Sequence, residues 1–421
     1  MRLAVSANMT KAGVLLTILL LSAAIRLAAV MVLDIAPVSD YAIYMRMATS
    51  MLATGHMSDG MGNVAFYSAG YPLFLVPFFA LFGAGVEVVG FVNAVLGVVS
   101  VLLVYLCGRE ALPNWKWAAA AALLWAVYPP AVLYTEYVAK ENLMVPLLLL
   151  QTVILLRYSR RPGLFAALTL GLIFGMELMV GPATILTGVL IGVVVIGFNL
   201  RKPSLSGLRW APALGCILGC AIALTPWLAY TYSELGQPVL NTNGSFNLYL
   251  GNNANSSAGF VGIQDTPMGA EWYALRREKG QLESMAILQD KALDYMFENP
   301  VQTAWRSLSK VAYFWMPPFH TGKFGDQSSL ESAVRSVWLV YYLFILTTAL
   351  LPLLFFRKLE RSHLILYATV LLYCAIHAAS YVIFRYRLPA MPIMSVLSVY
   401  GIWLGYAWWI DRNNRKKVFS D

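Results

Sequence analysis

The chain has 421 residues, of which 59% are hydrophobic and only 12% charged, against roughly 25% charged in a soluble globular domain. That composition excludes an ordinary soluble protein and predicts a polytopic membrane protein. The formal net charge of +9 does not point to nucleic acid, because Lys and Arg gather in short loops after alternate apolar stretches, the pattern of cytoplasmic loops.

Arg2 and Lys11 precede about 22 apolar residues, from Ala12 to Leu33. That is spanning length and longer than a signal-peptide core, so a retained first helix with a cytoplasmic N-terminus is expected. Residues 34–70 follow as the first outer loop. Gly70 to Phe82 is apolar, but at about 13 residues it is short for a crossing; with Gly83 and Gly85 behind it, a half-helix at the outer face is predicted. Further spans are predicted at about Val88–Cys107, Ala118–Tyr134, Asn142–Arg157, Leu164–Leu178, Ala183–Leu200 and Pro212–Tyr232. Arg109 and Lys116, then Arg157, Arg160 and Arg161, then Lys202 and Arg209 mark the cytoplasmic returns. Residues from Glu234 to Arg335 form one long polar segment, with an Asn/Gly-rich start, a helical stretch to Glu298 and a break at Asn299–Pro300. Asn before Pro suits an N-cap with Pro at the first helical position. Three spans close the chain, about Val337–Phe356, Leu364–Phe384 and Leu388–Ile410, followed by a basic cytoplasmic tail. The fold class expected is therefore all-α, with about ten transmembrane helices plus a half-helix, divided at 1–232, 233–335 and 336–421. The cysteines Cys107, Cys216, Cys220 and Cys374 all lie inside apolar spans and read as packing residues.

Four outer-side groups are candidates for chemistry. Asp40 lies just past the first span, with Tyr41 and an amphipathic run behind it. Such a carboxylate can take a proton from an acceptor hydroxyl, or it can cap the interfacial helix, and spacing alone leaves both open. Asp34 is a rival helix-end charge, and Asp59, beside Gly60, reads as a turn residue. Glu136, Lys140 and Glu141 sit at the tip of a hairpin, where Glu136 and Lys140 have the i,i+4 spacing of a helical pair; a lysine there can bind phosphate, or the tip can simply be solvated. Arg385 and Arg387 flank Tyr386 at the outer end of a span, where positive residues run against the usual bias. Guanidinium groups suit phosphate, although snorkelling anchors are an equal reading. Arg26, inside the first span, is expected to snorkel or to pair with an acid such as Glu177. The Asn/Gly stretch from Asn241 to Gly259 can present amides to sugar hydroxyls. His56, His320, His363 and His377 are dispersed, with no metal-ligand spacing.

Five stretches taken together resemble the GT-C superfamily, specifically bacterial membrane glycosyltransferases of the protein-mannosyltransferase-like, family-39 type. They are RLAAVMVLDIAPVSDYAIYMRMATSMLATG, YSAGYPLFLVPFFALFG, YTEYVAKENL, TPWLAYTYSELGQPVLNTNGSFNLYLGNN and FRYRLPAMP, in the family's order. The resemblance implies inverting transfer of a sugar from a polyprenyl-phosphate donor to a glycan, lipid or protein acceptor on the periplasmic face of the bacterial inner membrane, with both termini cytoplasmic. It implies no nucleotide sugar; some members of the superfamily use a divalent metal, but none is predicted here, and neither a cofactor nor nucleic acid is expected. It makes Asp40 the general base and maps the family's hairpin acids to Glu136 and Glu141 and its arginine motif to Arg385 and Arg387, beside the donor, with Lys140 a further phosphate candidate; Tyr41 and Tyr71 are further candidates beside the donor, and Asn252, Asn253 and His56 beside the acceptor. Two departures stand out: relatives often carry Arg-Asn after the Pro-Trp of the seventh span, where this chain has Leu228 to Thr231, and an Arg before the Pro of the second hairpin, where it has Val180–Gly181–Pro182. Two other functions remain for comparison. A polyprenyl-linked glycan flippase would show an internal repeat at half-chain distance, which this sequence lacks, and a non-catalytic lipid-binding protein of the same fold would share its motifs.

Overall fold

The structure, a computed structural model, describes residues 2–33, 35–201, 210–317 and 329–418. Asp34, Lys202, Arg209 and His320 lie outside the described residues. The regular elements described are all helical: α1 Arg2–Val32, α2 Asp40–Thr54, α3 Gly70–Phe82, α4 Val86–Ala111, α5 Trp115–Ala126, α6 Pro129–Leu133, α7 Glu141–Tyr158, α8 Leu164–Val180, α9 Ile185–Arg201, α10 Ala211–Leu235, α11 Asn243–Gly251, α12 Trp272–Glu298, α13 Pro300–Trp315, α14 Ser329–Leu354, α15 Arg361–Ala379 and α16 Met391–Val418. Seven described segments, in α1, α4, α7, α10, α14, α15 and α16, are long and apolar enough to cross a membrane; α3, α8 and the start of α9 are shorter apolar helices. The chain is a multi-pass membrane protein.

All ten predicted spans correspond to helices, but one is cut short. The span expected from Ala118 to Tyr134 stops at Ala126, because Pro129 and Pro130 cannot carry a helix across that point. The break is put to use in the core. Breaking a helix orphans its last carbonyls, and Arg26 of α1 donates through Nη1 to Ala126 O at 2.9 Å and to Ser22 Oγ at 2.6 Å. Arg26 is wholly buried, with its side chain laid over Gly97 of α4, a position where any Cβ would collide with it. It therefore neither snorkels nor pairs with Glu177, whose buried oxygens make no hydrogen bond. The expectation failed because it treated the helix end as lying at the membrane surface.

α4 runs through the centre of the bundle, packed by α1, α5, α7 and α16. Trp125 Nε1 donates to Ser100 Oγ at 2.7 Å and ties α5 to it. The closest helix pair is α8 with α10. Gly171 and Gly175 on α8 lie against Cys216, Cys220 and Ala223 of α10, and Gly215 and Gly219 on α10 against Leu164, Leu168 and Leu172 of α8, so backbones approach where side chains would not fit: a Cβ on Gly175 would lie 2.6 Å from Ala223 Cβ, and one on Gly171 would run into the carbonyl of Cys216. The four cysteines are free.

The bundle has two chemically distinct ends. At one, Glu110 takes Arg157 at 3.1 Å and Arg160 at 2.9 Å, Arg361 donates to Ser159 O, and His363 meets Ala111 O. These are the predicted basic returns. At the other end lie the first long loop, the 127–140 turn, the Gly181–Pro182 turn and the polar segment. Residues 236–299 add a smaller apolar cluster there, in which Tyr249, Met268, Trp272, Met285 and Leu288 pack with Phe66 and Phe246. The predicted break at Asn299–Pro300 is present, but Asn299 turns its amide back to Tyr295 O and does not cap α13.

Candidate active site

Asp40 is the first residue of α2, behind Ser39, whose φ of 52° turns the chain sharply into the helix. No side chain caps that helix. The Asp40 carboxylate instead receives Arg385 Nη2, and Arg385 Nε lies 3.4 Å from Glu141 Oε1. One guanidinium thus joins the start of α2 to the start of α7. The Asp40 side chain keeps 26% of its exposure, whereas Glu141 keeps 3%. The Tyr41 ring lies 5.3 Å from the guanidinium carbon, close enough for cation–π attraction. Burial, reinforced by Glu141 and outweighing Arg385, raises the Tyr41 phenol above its ordinary pKa.

Glu141 lines a cavity of about 310 Å³ between α7, α15, the start of α9 and the polar segment. The cavity is lined by Lys140, Met144, Tyr373 and His377, by the buried Ser68, and by the more exposed Asn241, Asn243, Asn247 and Gln289, which form its rim; Pro182, Ala183 and the exposed Ile185 complete the lining. Lys140 immediately precedes α7, with Nζ lying over Gly181. Burial lowers its pKa and Arg385 adds to that, while Glu141 and Asp40 act in the opposite direction. It makes no ion pair within 4.0 Å among the described residues. Arg385, shared by two carboxylates, has little net charge to offer an anion, so Lys140 is the cation that this cavity presents. His377 is held between Tyr386, at 4.5 Å, and Phe314, at 5.8 Å.

The remaining predicted residues divide clearly. Glu136 is buried against Gly90 of α4 and does not line the cavity. Residues 134–140 form successive turns, so the expected Glu136–Lys140 helical face does not exist. Those turns are fastened by two asparagines that sequence reasoning passed over: Asn93 Nδ2 donates to Thr135 O and Tyr137 O at 3.0 Å each, and Asn142 Nδ2 to Tyr134 O at 2.8 Å. Tyr71 is fully buried and donates to Asn93 Oδ1, which makes it part of the same support and not of the cavity wall. Arg387 points away from the cavity, donating to Met316 O at 2.6 Å beneath the Tyr342 ring. Asn252 and Asn253 are buried and spend their amides on backbone carbonyls of Leu248, Ala379, Tyr249 and Leu250. The amides on the rim belong to Asn241, Asn243 and Asn247, earlier in the same Asn/Gly stretch. His56 is exposed, 3.2 Å from Glu234, and is not brought to the cavity. Asp59 is the expected turn residue, accepting from Met61 N and Asn63 N. Tyr373 and His377, four residues apart on a span, were missed; that spacing on an apolar helix was their only signal. Among the described residues no three His, Cys, Asp or Glu side chains gather as a metal-binding group.

Residues 69–230 match the family model of dolichyl-phosphate-mannose-protein mannosyltransferases. No curated protein matches the sequence. Among solved structures the chain is similar to the oligosaccharyltransferase of Archaeoglobus fulgidus in complex with zinc and sulfate, with a TM-score of 0.53 and 16% identity over 97% of this chain and 51% of that one. It is likewise similar to AglB from that organism in complex with an inhibitory peptide and a dolichol-phosphate, with a TM-score of 0.51 and 14% identity over 97% and 52% of the two chains. ArnT from Cupriavidus metallidurans bound to undecaprenyl phosphate aligns with a TM-score of 0.45 and 12% identity over 94% and 78%. The chain spans about half the length of the oligosaccharyltransferases it matches. In fold the chain is similar to these oligosaccharyltransferase structures, and over residues 69–230 its sequence matches the protein-mannosyltransferase family model.

Proposed function

We propose that this protein is an inverting glycosyltransferase that moves a sugar from a polyprenyl-phosphate carrier to an acceptor hydroxyl at the periplasmic face of a bacterial inner membrane. The observation that carries this reading is the cavity itself, which joins three chemistries a lipid-linked sugar requires. Lys140 offers a cation to the phosphate. The rim of Asn241, Asn243, Asn247 and Gln289 offers amides, each both donor and acceptor, to sugar hydroxyls. Ile185, in the lining, heads an exposed apolar stripe on α9 through Val189, Val193 and Ile196, a surface suited to an isoprenoid tail lying in the bilayer.

In this scheme the acceptor approaches beside Asp40. Its oxygen bonds to the anomeric carbon as the bond from that carbon to the phosphate oxygen breaks, and the electron pair leaves with the lipid phosphate. The acceptor proton passes to the Asp40 carboxylate. Arg385 holds Oδ2 of that carboxylate, and Oδ1 accepts from Ser39 Oγ at 3.5 Å. Lys140 stabilises the charge that develops on the departing phosphate. A single displacement inverts the anomeric centre. The basic clusters at the opposite end of the bundle support a cytoplasmic assignment for that end, with both termini there.

The test is transfer by the purified protein from a panel of polyprenyl-phosphate sugars. Asp40→Asn is expected to abolish turnover while donor binding persists. Turnover retained in Asp40→Asn would remove Asp40 as the base, and absence of binding to every polyprenyl phosphate would remove the reading as a whole.

A further inference from the structure

α13 carries its charges on the wrong side for a helix in water. A surface helix of a soluble protein turns apolar residues inward and charges outward. Here Phe297, at the end of α12, and Val301, Trp305 and Leu308 of α13 are each at least 63% exposed. Ala304 and Ala312 share that face. Within α13, which starts anew after the break at Asn299–Pro300, the spacing 301, 305, 308, 312 follows one side of the cylinder over about three turns, and these positions carry no charge.

The two cations of the helix point the other way. Arg306 donates to Asn253 O at 2.6 Å, Ala254 O at 3.1 Å and Ser256 Oγ at 2.8 Å. Lys310 is fully buried and donates to Gly251 O at 2.9 Å and Asn252 Oδ1 at 3.3 Å. These partners are carbonyl and hydroxyl oxygens, and neither cation has a carboxylate counter-ion among the described residues. Burial pulls the Lys310 ammonium down to about 8, and Arg306 contributes. Burying cations without counter-ions costs free energy, and the arrangement leaves the outer stripe uncharged.

We propose that α13 lies in the membrane plane at the cavity's end of the bundle, with its Val301–Leu308 stripe seated among the upper acyl chains of the bilayer. Its placement fits that partner. The C-terminal half of α13 packs on the last turns of α15 and on residues 384–390, with Tyr313 against Phe384 at 5.0 Å and Phe314 against His377. The helix thus stands level with the cavity end of the spanning helix α15. Trp305 suits the headgroup boundary, which favours amphipathic rings. The opposite face of the same helix holds residues 251–254, and Gly251 abuts the carbonyl of Ser380 in the cavity wall. A lipid-seated α13 therefore braces that wall from outside. The proposal is independent of the transfer reaction.

The test uses the full chain in lipid nanodiscs. Trp305→Cys, Val301→Cys and, as an aqueous control, Glu283→Cys are labelled with a bimane fluorophore, and unsubstituted protein serves as the blank for native cysteines. Labels at 305 and 301 are expected to emit blue-shifted, to lose intensity in nanodiscs whose lipids carry bromine on the upper acyl chain, and to resist aqueous iodide. The label at 283, on a side chain 60% exposed in the structure, is expected to do the reverse. Iodide quenching at 305 and 301 equal to that at 283 would overturn the proposal. So would shielding from both quenchers, which would mean that protein covers the stripe.

Discussion

The ion triad at the cavity's edge makes a quantitative demand. Arg385→Met removes the guanidinium and keeps much of the aliphatic length over Tyr41. With Nε and Oε1 3.4 Å apart, the Arg385–Glu141 attraction is about 5 kcal/mol before desolvation, at an effective dielectric of about 20. Glu141 is almost wholly buried, so its unpaired charge has no solvent to replace the lost partner, and breaking such a pair costs roughly 3–5 kcal/mol. The Asp40 arm, about a quarter exposed, adds at most about 1 kcal/mol. We therefore expect Arg385→Met to destabilise the protein by about 3 kcal/mol. Glu141→Gln in the Arg385→Met background should recover about 2 kcal/mol of that, because it removes the stranded charge. Denaturant unfolding of the four members of this cycle in one detergent measures both quantities. Additivity within about 0.5 kcal/mol would refute the reasoning, since the two groups would then be energetically independent despite their distance.

Three further outcomes follow from the packing and the charges. Gly171→Leu should prevent α8 from seating on α10 and lower the unfolding midpoint sharply, whereas Gly192→Leu, with nothing within 4 Å of its Cβ, should leave it near wild type; equal midpoints would remove the close-packing argument. Lys140 binds an anion only when protonated, and burial sets its pKa below the ordinary 10.5. Affinity for a polyprenyl-phosphate sugar, whose phosphodiester charge is constant, should therefore fall on the alkaline side before an exposed lysine would lose its proton. Lys140→Arg should extend binding to higher pH, and a flat pH profile in wild type would count against Lys140. Asn253→Ala removes bonds to Tyr249 O, Leu250 O and Asn255 N and should cost about 2 kcal/mol of stability with the donor KM unchanged, whereas Asn243→Ala, on the cavity rim, should raise KM with little loss of stability.

Much of the fold was readable because membrane spans are long and their signal is local. Gly70–Phe82 was expected as a half-helix and occurs with those bounds, ended by Gly83 at a φ of 87°. The basic clusters do gather at one end, around Glu110. What failed was the span through Pro129–Pro130, where apolar composition outweighed backbone chemistry. The Gly171/Gly175 and Gly215/Gly219 pairs were present as small-xxx-small patterns, but the partner of such a pattern is set by tertiary packing. Arg26 shows the same limit in reverse, because its acceptor, the carbonyl of Ala126, is 100 residues away and exists only because α5 breaks there.

At the site, sequence reasoning found the stretches more reliably than the side chains, and the geometry of residues 384–390 shows why. Read as an extension of a span, Arg385 and Arg387 form a fork with a shared target. In the 3-10 turn that these residues form, side chains two apart diverge by about 120°, and on an α-helix they would diverge by about 160°, so neither geometry aims both at one target. Arg385 consequently reaches the carboxylates of α2 and α7, while Arg387 turns under Tyr342 to the carbonyl of Met316. The same logic separates Asn243 from Asn252 and Asn253. α11 begins at the rim and ends in the protein interior, so amides nine residues apart face different surroundings although their composition is alike. Which residue of a polar stretch meets a ligand is therefore decided by where its helix starts. In this chain that point is set by contacts to distant segments: Thr242 N and Asn243 N donate to Ala65 O and Phe66 O in the first long loop. The loop that carries Asp40 thereby also fixes the rim of the cavity.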